Sequence, residues 1–68
     1  MRLKEIRKSR GISQVKLAMI LNTNQNTISR YETGEREPGI HELIKLADFF
    51  DISIDYLLER TDDPHLYK

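Results

Sequence analysis

The twenty residues from Ser13 to Glu32 constrain this chain more than any other stretch. They carry two helix-start signals, Ser13 and Asn24, separated by one turn signal, Asn22. Serine and asparagine are preferred N-caps because a side-chain oxygen accepts from an otherwise orphaned backbone N–H of the first turn. Asparagine also tolerates the left-handed backbone that a tight connection between two helices demands. Leu17, Ala18 and Leu21 form a helical stripe after the first cap, and Ile28 and Tyr31 do so after the second. The sequence therefore predicts two short helices joined almost without a loop, the second running over about residues 24–33.

The outer face of that second helix carries Gln25, Asn26, Ser29 and Arg30. Amide side chains add nothing to an apolar core, and asparagine lowers helix propensity. Their forked donors and acceptors, like those of arginine, match base edges in the major groove of DNA. Concentrated on one exposed face, they read as a binding surface.

The rest of the chain divides into short helices. Leu3 and Ile6 predict a first helix over about residues 2–10, closed by Gly11. Gly34 closes the third helix, and residues 34–39 form a loop by their glycine and proline content. A fourth helix begins near Ile40, with Ile40, Leu43, Ile44, Ala47 and Phe50 on one stripe, Leu46 beside it and Asp51 at its end. Ser53 caps a short fifth helix containing Ile54, Leu57 and Leu58, where Asp55 in the first turn suits the helix dipole. No segment alternates with strand period. The expected architecture is all-α, with a domain over residues 1–60 and a tail or linker start over 61–68.

Sixty-eight residues bury only about 60% of their unfolded surface, leaving little room for both a core and an enclosed catalytic pocket. The absence of cysteine excludes a disulfide framework and a thiolate metal site, and fits a cytoplasmic setting. No apolar run approaches a membrane span, and no secretory pattern opens the chain. His41 and His65 stand far apart without a metal-ligand motif, no glycine-rich phosphate loop is present, and Ser29 with His41 makes no triad signal. The reading is of a non-enzyme with no catalytic residue, no metal, no cofactor and no evident small-molecule ligand.

The net charge is zero, yet strongly divided. Residues 1–30 hold seven basic side chains against Glu5 alone, a balance of +6; residues 31–68 hold four against ten acidic ones, a balance of −6. Such a dipolar molecule can turn a basic face to a polyanion.

The ordered set Gly11-Ile12-Ser13-Gln14, Leu17-Ala18, Leu21, Thr27 to Glu32, Gly34 and Pro38 resembles the Cro/C1-type helix-turn-helix family, also called the xenobiotic-response-element family. Leu46-Ala47 and Phe50 to Leu58 continue the resemblance, which covers about residues 2–60. It implies a compact five-helix, lambda-repressor-like domain of bacterial or phage origin that binds double-stranded operator DNA, usually as a homodimer. Gln25 and Asn26 fall on positions that reach base edges, with Ser29 and Arg30 on the same face. Ser13, Gln14, Asn24, Thr27 and Arg36 fall where phosphate contacts are expected. Arg7 and Glu32 match a partly buried ion pair between the first and third helices, which excludes both from base contact.

This chain departs from the family pattern at four positions. Asn22 replaces the usual turn glycine, Thr23 a common buried aliphatic, Gly39 a hydroxyl cap, and Glu35 a residue that is often basic. Glu35 and Glu37 weaken the loop's grip on phosphate and leave Arg36 to carry it. Val15 and Met19, with Ile20, are apolar where relatives are often polar, which keeps a protein-interaction adaptor as the alternative to DNA reading. Tyr56, Leu57, Leu58, Leu66 and Tyr67 exceed what a small monomer surface needs, which fits either self-association through the fifth helix or a Leu57 that finishes the core beside an incidental Leu58 and a disordered tail.

Overall fold

The computed structural model describes residues 1–65. Five helices and no strand occur among them: α1 (Leu3–Ser9), α2 (Gln14–Ile20), α3 (Gln25–Thr33), α4 (Ile40–Phe50) and α5 (Ile54–Leu57). The fold is therefore all-α. Its radius of gyration, 11.1 Å, is close to the ~11 Å expected of a globule this size.

Local chemistry sets the boundaries. Ser13 Oγ accepts from the Lys16 N–H, Asn24 Oδ1 from the Thr27 N–H, and Ser53 Oγ from the Tyr56 N–H. Asn22 turns α2 into α3 in the left-handed region at φ 56°, and Asp51 ends α4 in the same region at φ 57°. Gly34, at φ 85°, closes α3. Gly39 precedes α4 and, lacking a side chain, supplies no capping hydrogen bond.

One core joins all five helices. Leu3, Leu17, Ile28, Leu46, Phe50 and Leu57 are fully enclosed. Ile6, Ala18, Leu21, Tyr31, Ala47 and Ile52 complete it, with Ile12, Leu43, Ile54 and Tyr56 packed against its edge.

The buried stripe of α4 differs from the expected one. Leu46, read as lying beside the stripe, is at its centre, while Ile40 and Ile44 are 69% and 42% exposed. The stripe runs Leu43–Leu46–Ala47–Phe50, an i, i+3, i+4, i+7 pattern that fits equally well by spacing alone. Leu58, assigned to the fifth helix, follows α5 as its C-cap and is exposed. Leu66 and Tyr67, counted in the apolar surplus, lie outside the described residues.

Among the described residues, three of the seven basic side chains of residues 1–30 donate hydrogen bonds within the chain. Arg2 donates to the carbonyls of Tyr56 and Thr61 and to Asp62 Oδ1 (3.0, 3.2 and 2.8 Å), and its guanidinium lies 4.6 Å from the Tyr56 ring centroid. Arg10 Nη2 donates to the Phe50 carbonyl at 2.9 Å, neutralising the negative end of α4. Arg7 pairs with Glu32. The balance of +6 counted along the sequence thus overstates the charge free to meet a polyanion.

Candidate nucleic-acid interface

An α-helix advances about 100° per residue, which spreads Gln25, Asn26, Ser29 and Arg30 over about 140° of α3, opposite Ile28 and Tyr31. The structure follows that geometry. Ile28 and Tyr31 are buried, Gln25, Asn26 and Arg30 are exposed, and Ser29 is half-buried. The core grips one side of α3 and leaves the other as a convex polar ridge.

The residues expected at phosphate flank this ridge. Ser13 and Gln14 stand at the start of α2, and Gln14 is close enough to α3 for its Oε1 to accept from Gln25 Nε2 at 3.2 Å. Asn24 Oδ1 is occupied by capping and by the Thr27 hydroxyl (3.2 Å), so its amide N–H groups are what remain for an anion. Ser13 Oγ likewise accepts within the fold and keeps its O–H to donate. Arg36 reaches the far flank of α3. Its backbone N–H donates to the Arg30 carbonyl at 3.3 Å, and its side chain lines a hollow with Thr27, Tyr31 and Glu42.

Two features were not legible in the residue list. Glu35 sits 3.8 Å from the Arg30 guanidinium, both exposed, placing an acid against a cation of the ridge. Glu32 anchors a chain of side chains. Arg7 Nε and Nη2 donate to its two carboxylate oxygens at 2.6 and 3.1 Å, Arg7 Nη1 donates to the Ile12 carbonyl at 2.8 Å, and Gln14 Nε2 donates to Glu32 Oε1 at 3.0 Å. The interhelical Arg7–Glu32 pair is thus present, with side chains only 10% and 3% exposed. Burial disfavours the Glu32 charge, but the Arg7 and Gln14 hydrogen bonds and the charges of Arg7 and Lys4 outweigh it, and the carboxyl titrates below its ordinary value. No spacing rule links Gln14 to Glu32 across 18 residues, so only the packing of α2 on α3 reveals that contact.

No helix among the described residues is long and apolar enough to cross a membrane. Val15 and Met19 are 51% and 75% exposed on α2, with Ile20 beside them.

A helix-turn-helix family model matches residues 3–57. The chain is similar to the HTH-type transcriptional regulator ImmR of Bacillus subtilis (strain 168), 39% identical over 61 residues, covering 90% of this chain and 48% of that protein. It is 41% identical over 59 residues to the HTH-type transcriptional regulator AnsR of the same organism, covering 87% and 51%. The HTH-type transcriptional activator BcrR of Enterococcus faecalis is 32% identical over 57 residues, covering 84% and 28%. The chain spans about half the length of the Bacillus relatives it matches.

Proposed function

This chain belongs to the Cro/C1-type helix-turn-helix family of transcriptional regulators, and from that premise we propose that it reads a DNA operator half-site through α3 and represses transcription as a homodimer. The observation that carries this reading is the polar ridge of α3, with the N-terminus of α2 beside it. Gln25 and Asn26 read adenine or neighbouring edges, and Arg30 reads guanine or holds phosphate. Ser13, Gln14, Asn24, Thr27 and Arg36 hold the backbone and fix the register.

Pairing of two copies would set their recognition helices about 34 Å apart, one duplex turn. Exposed Leu58 at the end of α5, with Ile40 and Ile44 on α4, supports such pairing by leaving apolar surface to cover. Repression follows from occupancy of a promoter operator. The name of BcrR shows that activation also occurs among relatives, so a promoter-reporter assay decides the sign.

The second reading, an interaction adaptor on the same scaffold, is favoured by the exposed Val15 and Met19. Fluorescence anisotropy over a salt series separates the two, because phosphate-driven binding falls with a log–log slope of about −0.9 per phosphate neutralised. Within the DNA reading, Asn26→Ala costs ~1–3 kcal/mol for the preferred site, whereas Gln14→Ala also weakens random duplex. Equal losses on specific and random DNA in both variants would overturn this division of roles.

A further inference from the structure

Tyr31 is only 6% exposed, yet its hydroxyl has no hydrogen-bond partner among the described residues. A buried tyrosine O–H usually finds one. Among the described residues no fully enclosed side-chain oxygen lacks a partner, so this hydroxyl must meet open space. Tyr31 lines two hollows, one of about 410 Å³ under the loop 34–39 and one of about 160 Å³ beside the turn from α2 to α3. Arg36 lines both as well, and its guanidinium has no carboxylate, carbonyl or ring partner among the described residues. Two donors without an acceptor thus share one opening.

The larger hollow falls within the range of about 300–1,000 Å³ usual for small-molecule sites. Met1, Pro38, Leu43 and Leu58 give it apolar walls. The Met1 ammonium is already paired with Glu59, at 3.5 Å. Glu37, exposed, stands on the same rim. A carboxylate answers both donors, since arginine grips it with two parallel N–H groups and a tyrosine O–H donates to a remaining lone pair. The walls ask for an apolar body behind it. Glu37 repels a second negative charge, which leaves a monoanion as the match.

We infer that the hollow under the loop 34–39 binds a small monocarboxylic acid with an apolar body, its carboxylate held by Arg36 and the Tyr31 hydroxyl, and that filling it withdraws Arg36 from DNA phosphate. The binding stands on the hollow alone. The withdrawal rests on the reading of Arg36 as a backbone contact, and adds to it a means of lowering DNA occupancy. One guanidinium cannot serve a carboxylate and a phosphate at full strength together.

The test follows the backbone amide NMR signals of isotope-labelled protein at constant ionic strength. The probes are octanoate, its neutral match octanamide, and octanedioate, the diacid of the same length. Wild type, Tyr31→Phe and Arg36→Ala are compared, each confirmed folded by circular dichroism. Fluorescence anisotropy then measures DNA binding with and without octanoate. The duplex is too short for two copies, because Leu58 also belongs to the surface offered for pairing.

The expected result is that octanoate saturates, with shifts centred on Tyr31, Arg36, Leu43 and Leu58. Octanamide and octanedioate bind more weakly by about fivefold or more, and each variant weakens octanoate by a similar factor while leaving octanamide unchanged. Saturating octanoate weakens DNA binding by wild type and lowers its log–log salt slope by about one, and does nothing further to Arg36→Ala. Shifts that do not saturate, that centre elsewhere, or that octanamide reproduces at equal affinity overturn the site. Octanoate that fills the hollow and leaves DNA affinity unchanged overturns the withdrawal of Arg36. If the ligand-free protein binds no duplex, the DNA reading itself fails and the withdrawal falls with it, while the octanoate titration still decides the site.

Discussion

Replacing Arg7 by alanine removes two hydrogen bonds to Glu32 and one to the Ile12 carbonyl, and strands a carboxylate whose side chain is 3% exposed. Breaking a buried pair by removing one partner costs about 3–5 kcal/mol, because the remaining charge keeps its desolvation penalty. A domain of 68 residues has a total stability of only about 3–10 kcal/mol. At roughly 4–8 °C per kcal/mol for a domain this small, Arg7→Ala lowers Tm by at least about 12 °C. The assay is thermal melting by circular dichroism at pH 7 and again near pH 4. In the wild type the Glu32 carboxyl is lowered from its ordinary 4.5, so its pairing contributes fully above that value and fades as pH falls through the folded one. In Arg7→Ala burial acts without its main opponent and raises the same carboxyl. Acidification then relieves the variant while weakening the wild type, and the gap in Tm narrows. An Arg7→Ala variant melting within about 3 °C of wild type at pH 7, or a gap that widens on acidification, would show that the pair does not hold α1 to α3 in this way. The double variant Arg7→Met with Glu32→Leu recovers most of the loss, since an apolar pair carries no stranded charge.

Three further outcomes are expected. Leu46→Ala, at the centre of the α4 stripe, costs ~2–5 kcal/mol in a urea melt, whereas Lys45→Ala on the exposed face of the same helix changes stability by under about 0.5 kcal/mol. Gly34→Ala costs ~1–2 kcal/mol although open space surrounds the position, because φ is +85° and the penalty lies in the backbone; a chemical-denaturation midpoint equal to wild type would contradict this. In anisotropy titrations Arg36→Ala weakens all duplexes alike and lowers the salt slope by about one, while Glu35→Gln tightens them by under about 1 kcal/mol by removing an acid beside Arg30.

The helix ends were the most legible part of the fold, since Ser13, Asn24 and Ser53 act through contacts only three residues away. The turn at Asn22 and the stop at Gly34 were legible for the same reason: each is a local backbone demand met by a residue that tolerates it. The buried face of α4 was less so. Ile40, Leu43, Ile44, Leu46, Ala47 and Phe50 fit more than one helical stripe, and which stripe faces inward depends on where α1 and α5 sit. Ile52 is core but lies between helices, where no periodicity marks it.

At the interface, the convex ridge followed from the period of α3 alone. Its electrostatics did not. Arg2, Arg7 and Arg10 count as basic charge in the sequence, yet each satisfies a carbonyl or a carboxylate from a distant segment. The Arg7–Glu32 pair was reached through resemblance, while the link from Glu32 to Gln14 and on to Gln25 depends on side-chain packing that no residue spacing encodes.

Selection from a random duplex pool with purified, folded protein at near-physiological salt decides whether α3 reads DNA sequence. Reading by α3 in a pair of copies enriches an inverted repeat whose half-sites lie about one helical turn apart. Enrichment of a single half-site would keep α3 as the reader and remove the homodimer. No enrichment at all would remove α3 as a reader of sequence and leave the interaction adaptor as the role of this fold.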